Sequence, residues 1–590
     1  MPILSLGRDR PQGMTKVDTA FMMKSDCRAT CSTYRVARLI ACTMLLSACA
    51  RSTSGGLPAA PAAAGDDISE ASLRTRLYAI ADDSMMGRES GSEGDYKAAE
   101  YVAAEFRRLR LEPAGDNGTW FQTVPFWRAA VDPTSSLSAG GTALALARDF
   151  LPASIPSPAR TLDGVPTVYG GSITDAAHWI SAEQAGGKVV VLSLPVGTSM
   201  RGLALSSPRW SNAVAVAAAT LDQLGAEQIA RLVEGRPIPD TARSAAAVPV
   251  LWISRRAATT ILGAEPSTLS PGASGLPVRG HFDIGRTPVS FPARNVVAIL
   301  RGSDPALRGE FVALTAHNDH VGYDHSPVDH DSLRAFNRVV RPMGADSPSR
   351  APTASEWVRI RAILDSTRRV HPARLDSIRN GADDDGTGTV AILEIAGAMS
   401  RRAMRPRRSI LFVSHTGEEA GLLGSRWFTD HPTVPIDSIV ADIDQDMVGR
   451  GTSSDFPQNG TGAGSATYLE VVGAKRLSRE FGDSLEAANA RQPVPFVFDY
   501  SYDAPGHLLQ YYCRADHYSY ARYGIPSVSF SRGEHLDYHQ VTDEAQYISY
   551  PDLARVTRMV YAGALAVANM TDRPAMSAPK PADPHGSCRQ

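Results

Sequence analysis

The chain has 590 residues, a net charge of −2 and a pI near 6.7. That length calls for several domains, and the balanced charge argues against a nucleic-acid partner. Four of the six cysteines (Cys27, Cys31, Cys42 and Cys49) fall near the N-terminus, so Cys513 and Cys588 are too few for a disulfide framework.

Residues 1–65 read as a leader and tether rather than folded protein. Arg35 and Arg38 precede an apolar run from Leu39 to Leu46 that is too short to span a bilayer. Leu46-Ser47-Ala48-Cys49 looks like a bacterial lipobox with Cys49 as the lipidated first residue, and Arg51 to Gly65 is an Ala/Gly/Pro/Ser tether. The expected location is thus exported and bacterial, either periplasmic or membrane-anchored only through the lipid on Cys49. An ordinary signal peptide cut near Ala50 is the alternative.

Residues 66–148 are expected to begin a catalytic domain. Leu73, Leu77 and Ile80 mark one helix; Ala99, Val102, Ala103, Phe106 and Leu109 mark a second. Phe121 to Phe126 is the predicted first sheet strand. Residues 149–283 interrupt it, with short strands at Lys188 to Leu192 and Val248 to Ile253, an Ala-rich helical stretch near Leu221 to Leu232, and no catalytic cluster. Asn295 to Leu300 re-enters the sheet, and residues 284–572 complete the catalytic domain. An insertion at 323–380 reads as charged and irregular to about Ser355, then as an amphipathic helix carrying Trp357, Ile360, Ile363 and Leu364. Leu553 to Val567 forms a closing helix, and residues 573–590 read as a polar tail.

The chemistry gathers at the ends of apolar runs. Ser409 to Ser414 leads into Gly417-Glu418-Glu419-Ala420-Gly421-Leu422-Leu423-Gly424-Ser425. Adjacent carboxylates repel unless a cation or a shared proton compensates, and strand propensity disfavours Glu there. The pair suits metal-assisted hydrolysis, one carboxylate ligating and its neighbour taking a proton from water; a solvated loop is the plain alternative. Phe311 to Ala316 delivers His317-Asn318-Asp319-His320. Asn380-Gly381-Ala382-Asp383-Asp384-Asp385-Gly386 opens a helix, Ile439 to Gln445 leads into Asp446-Met447, and Ser527 to Phe530 precedes Glu534 to His539. Sites in open α/β sheets form outside the carboxyl ends of strands, where these residues can converge. Two His, two Asp and one Glu suit zinc, and serve two ions if one carboxylate bridges. Singly, each has a plain role: His317 as a satisfied strand-end histidine, Asp384 as a helix cap, Asp446 as a strand end, His539 as a loop residue. Asp385 or Thr387 can cap while Asp384 ligates.

On these motifs the chain from about Phe311 to Asp543 resembles the co-catalytic dizinc exopeptidases, a family that includes bacterial leucyl aminopeptidases, glutamate carboxypeptidase, glutaminyl cyclase and the transferrin receptor. The shared pattern is His-x-Asp, Gly-x-x-Asp, Glu-Glu-x-Gly-Leu-x-Gly-Ser, Asp-Met and a late His. The resemblance implies an α/β fold with a mixed central sheet flanked by helices, and a smaller β-rich protease-associated domain inserted at 149–283. It implies two Zn2+ per chain, His317 and Asp446 holding one, Glu419 and His539 the other, with Asp384 bridging. Glu418 would be the general base, Asp319 would orient His317, and the Tyr538 hydroxyl would stabilise an oxyanion. The implied activity is aminopeptidase action on peptides or small proteins through a metal-bridging water. Glutaminyl cyclase-like or carboxypeptidase activity, or receptor-like binding without catalysis, are the alternatives. His320, His325, His330, His535 and Asp537 fall outside the pattern and are expected in solvent or behind the ligands. The long 323–380 insertion is expected to roof the cleft or form a contact surface. No Gly-x-Ser-x-Gly elbow between a strand and a helix supports a serine hydrolase.

Overall fold

Nine strands build the central sheet of this computed structural model, which describes residues 67–590 except 154–158, 196–197, 199–206, 240–247, 349, 452–454, 456–464, 508 and 589. In chain order they are β1 (Glu112–Pro113), β2 (Phe121–Val124), β3 (Ala293–Leu300), β4 (Phe311–His317), β5 (Ser409–His415), β6 (Ile439–Gln445), β7 (Tyr468–Val472), β8 (Val497–Asp499) and β9 (Ser527–Ser531). The order across the sheet is β1-β3-β5-β4-β6-β9-β7-β8, with β2 also on β3. β5, β4, β6 and β9 run parallel; β3 joins β5, and β7 joins β9, antiparallel.

Every residue of β3, β4, β5 and β6 is buried, which explains their near-continuous apolar runs. Successive side chains still part to opposite faces. Val312 and Leu314 join the cluster under the helices Glu70–Ile80, Glu93–Arg108, Gly388–Arg401 and Tyr550–Ala568, while Phe311 and Ala313 pack with Phe428 and Tyr520 on the other side. The first helix carries Leu73, Leu77 and Ile80 and the second Ala99, Val102, Ala103 and Phe106, as the sequence predicts, with Leu109 one residue past its end. Ser69 and Ser92 cap them by accepting from the backbone N–H of Ser72 (3.1 Å) and Asp95 (3.4 Å), each cap contributing about 1 kcal/mol. The result is the expected α/β fold with helices flanking a mixed sheet.

Strands between residues 126 and 288 leave that sheet. Phe126–Val131 pairs with Arg236–Pro239 and Ile284–Pro288, and Ser136–Ala139 lies between Thr142–Leu144 and Val278–Phe282. A five-stranded sheet takes Phe150–Pro152, Val250–Ile253, Ala215–Ala218, Val189–Ser193 and Thr167–Ser172, the last four parallel. The boundaries expected at 149 and 283 therefore fall inside this pairing. The run Phe121 to Phe126 is split at Pro125: β2 stays on the central sheet, and the next strand departs with no break in apolar character to signal it.

The 323–380 insertion is more regular than its composition suggests. Tyr323–Asp329 pairs with Leu375–Ile378, and the helices His330–Val340 and Ala354–Arg368 stand between them. The first helix was not predicted, because only Ala335, Phe336, Val339 and Val340 carry its apolar face, packed on Ile360 and Ile363. Trp357, expected in the buried stripe, is 45% exposed. The polar tail is also not loose: Cys588 is disulfide-bonded to Cys513, 75 residues away, and the Ser577 N–H donates to the Leu477 carbonyl at 2.7 Å.

Candidate metal centre

The carboxyl ends of the parallel strands deliver the predicted residues to one place. β4 ends at His317, β6 is followed by Asp446, and the turn after β5 carries Glu418 and Glu419. Asp384 comes from the turn before the helix Gly388–Arg401, and His539 from the loop after β9. The His317 Nε2 lies 3.3 Å from Asp384 Oδ1, 3.7 Å from Asp446 Oδ1 and 3.9 Å from Glu418 Oε2. The His539 Nε2 lies 3.0 Å from Asp384 Oδ2 and 2.9 Å from Glu419 Oε2. Two groups result, His317–Asp384–Asp446 and His320–Asp384–Glu419–His539, each with donor atoms within 4.8 Å of one another, and Asp384 belongs to both.

His320 is the residue the sequence reading misplaced. It is neither in solvent nor behind the ligands: its buried Nδ1 sits 2.7 Å from Glu419 Oε1, with its ring edge-on to His539. Gly381 makes room for it. A Cβ there would approach the His320 Cγ to 2.5 Å, and the φ of +51° suits only glycine readily. The available signal was a second histidine in the same turn, on the far side of Asp319.

The arrangement fits cations. His317 Nε2, both His320 ring nitrogens, Asp384 Oδ2 and Glu419 Oε1 are buried without a hydrogen bond. Burial would push the His317 imidazole down, but Asp319, Asp384 and Asp446 outweigh it and hold it well above its usual range. The same contest lifts His539 to about 10, Glu419 and Asp384 prevailing over burial. Burial lifts Glu418 and Asp446, whereas the histidines override burial to hold Asp384 far down and Glu419 at about 2. So many opposed carboxylates and imidazoles within a few ångströms are the donor set of a zinc site.

Around this set, backbone amides and buried ion pairs fix each turn. Asp385 Oδ1 accepts from Gly388 N (2.8 Å) and Met447 N (3.2 Å), so Asp385 caps the helix and also stitches it to the Asp446 turn. Asp319 accepts from Ser90 Oγ (2.7 Å) and from Glu418 N (3.1 Å); its carboxylate is 3.6 Å from His317 Nδ1, whose nearer partner is the Asp319 backbone carbonyl at 3.1 Å. Arg88, which motif reasoning did not single out, is fully buried and donates to the carbonyls of Asn318 (2.8 Å) and Gly381 (2.9 Å), tying the His317 turn to the Asp384 turn.

His535 and Asp537 are likewise buried rather than solvated. His535 Nε2 lies 3.2 Å from Asp383 Oδ2, and Asp537 pairs with Arg450 (2.8 Å) and Arg334 (3.2 Å). Arg334 belongs to the 323–380 insertion, whose Ala345 N–H also donates to the Tyr538 carbonyl at 3.0 Å. The insertion therefore buttresses the loop that presents Tyr538 and His539. The Tyr538 ring stacks on His539, and its oxygen accepts from Arg514 at 3.3 Å. A cavity of about 370 Å³ opens beside Asp384, Glu418, Asp446, Tyr538 and His539.

Residues 295–564, which carry all of these ligands, match the family model of Peptidase family M28. Over that segment, a little under half of its length, the chain is similar to that family. Leucine aminopeptidase 1 of Penicillium rubens is 30% identical to this chain over 196 residues, 32% of this chain and 47% of that protein. A vacuolar membrane protease of Verticillium alfalfae is 40% identical over 62 residues, 10% of this chain and 6% of that one. The chain thus spans less than half the length of either relative. An aminopeptidase from Aneurinibacillus sp. strain AM-1 superposes with a TM-score of 0.48 at 15% identity, covering 85% of this chain and 94% of that one.

These relatives overturn one expectation. The placement as a bacterial periplasmic or membrane-anchored lipoprotein does not stand, because the matched leucine aminopeptidase and vacuolar membrane protease are fungal. A short apolar run ending in a cysteine carries too little information to fix a cell type, and Cys49 lies outside the described residues. Among the described residues no helix is long and apolar enough to cross a membrane.

Proposed function

We propose that this chain is a zinc-dependent aminopeptidase of the M28 kind that holds two ions, one on His317 and Asp446, the other on His320, Glu419 and His539, with Asp384 shared. The observation that carries the reading is that Asp384 faces both ligand groups, with its two oxygens turned to His317 and His539 respectively. Bound there, the ions would acidify water and polarise a substrate carbonyl.

The chain's own residues do the rest. Glu418 stands 3.9 Å from His317 Nε2 at the cavity edge and does not need to ligate, so its carboxylate is placed to take a proton from water and return it to the leaving amine. Burial raises its proton affinity, which suits both halves of that transfer. Asp319 holds the Glu418 backbone and steadies the His317 turn. Because Arg514 donates to the Tyr538 oxygen, the phenol proton is left to point at a developing oxyanion in the cavity. Two complete ligand groups favour this reading over a single-metal cyclase, and intact ligands favour catalysis over receptor-like binding.

Glu418→Gln tests it. The variant should keep its metal and lose roughly 10²- to 10⁴-fold in turnover of aminoacyl-arylamides. Near-normal turnover would remove Glu418 from the mechanism.

A further inference from the structure

The cavity extends from the ligand groups to a floor that the chemistry above does not use. Val472 of β7 is paired with Ser529 of β9, and Glu470 with Ser531. Residues two apart on a strand share a face, and all four of these line the cavity. Three are small or apolar; the fourth is a carboxylate. Glu470 is only 2% exposed, and among the described residues no hydrogen bond or ion pair reaches its side chain. Burial drives its proton affinity up, and its acidic surroundings, Glu534, Asp499 and Asp446, add to that. Arg514 offsets this only in part. Arg514 is already engaged by Asp346 (3.0 Å), Glu534 (3.2 Å) and the Tyr538 oxygen. A buried carboxylate without a partner costs stability unless something brings a charge to it.

We propose that this floor is the pocket for the side chain of the substrate's N-terminal residue, and that Glu470 selects a cationic one, lysine or arginine. The inference rests on the aminopeptidase reading above and adds its specificity. Leu422, Met447, Val472 and the Tyr511 ring offer apolar wall for the methylene stem of such a side chain. Glu470 then meets the ammonium or guanidinium at the closed end through a charge-assisted hydrogen bond. Arg426 also lines the cavity, from the helix Leu423–Asp430, and sets a further bias against cations placed on that side.

The test compares lysyl- and norleucyl-arylamide, which differ by the ammonium group alone. Wild type should favour the lysyl substrate at least tenfold in kcat/KM, and Glu470→Gln should erase roughly ten- to a hundredfold of lysyl kcat/KM while leaving the norleucyl value within about threefold. Calorimetry of lysinamide and norleucinamide with the zinc-loaded protein reads the same preference without turnover. If neither arylamide is cleaved but lysinamide binds more tightly, the pocket stands and the aminopeptidase reading falls. If wild type treats the two side chains alike in both assays, or if Glu470→Gln weakens both equally, the proposal is overturned.

Discussion

Arg450→Met removes a charge from the middle of the buried network behind His539. The guanidinium is fully buried, 3.0 Å from Asp455, 2.8 Å from Asp537 and 3.5 Å from Asp543. Asp543 in turn accepts from the backbone N–H of Asp383 (2.9 Å) and of Asp384 (3.2 Å), so the same network positions the shared ligand. Methionine keeps most of the volume but leaves three buried carboxylates facing one another. Breaking a buried ion pair from one side costs roughly 3–5 kcal/mol. Arg334 still serves Asp537 at 3.2 Å, which places the expected loss at the lower end, about 3 kcal/mol. Denaturant unfolding followed by tryptophan fluorescence reads the loss, and metal retention on dialysis should fall with it. Asp543→Asn in the same chain keeps an acceptor for both amides while removing one stranded charge, and should recover about 1 kcal/mol or more. An Arg450→Met protein within about 1 kcal/mol of wild type, with undiminished metal retention, would refute the claim that this network holds the ligand loop.

Acid should destabilise the fold through two buried histidines. Burial, aided by His317 in one case and Arg476 in the other, pushes His415 and His517 down to about 3. Their unfolded values are near 6.5, so their contribution is complete above about pH 6.5 and is lost as pH falls from there towards 3, at up to about 1.4 kcal/mol per pH unit for each. His517→Gln should flatten the slope of unfolding free energy against pH by one such increment; an unchanged slope would contradict the assignment. The Cys513–Cys588 bond closes a 75-residue separation, and Cys588→Ser should lower the unfolding free energy by about 2–4 kcal/mol and make the protein indifferent to reductant. Equal stability of the two forms in oxidant would argue that the tail is held by its backbone contacts alone.

The sheet and its ligand-bearing ends were legible because both signals are local. Continuous apolar runs mark strands buried on both faces, and polar residues that follow such runs without a turn motif to explain them mark a site. Asp385 fitted the same logic, its capping role readable from the Asp-Gly-Thr-Gly turn. What escaped depends on contacts between distant segments. His320 looked redundant beside His317 because the sequence does not say which way the second imidazole points. Arg88 received no role of its own, since a guanidinium that clamps backbone carbonyls leaves no trace in the partner sequence. His535 and Asp537 stayed open between solvent and a place behind the ligands because their partners, Asp383, Arg450 and Arg334, come from three separate elements. The strand departing at Phe126 was hidden by apolar continuity across Pro125, and the disulfide by its 75-residue separation.

Metal content bears most directly on the paired ligand groups. Elemental analysis of zinc-replete protein after gel filtration should find two ions per chain, and Asp384→Asn, which touches both groups, should lower the occupancy of both. Protein that holds no zinc under these conditions, or an Asp384→Asn variant that keeps both ions at wild-type affinity, would contradict the account.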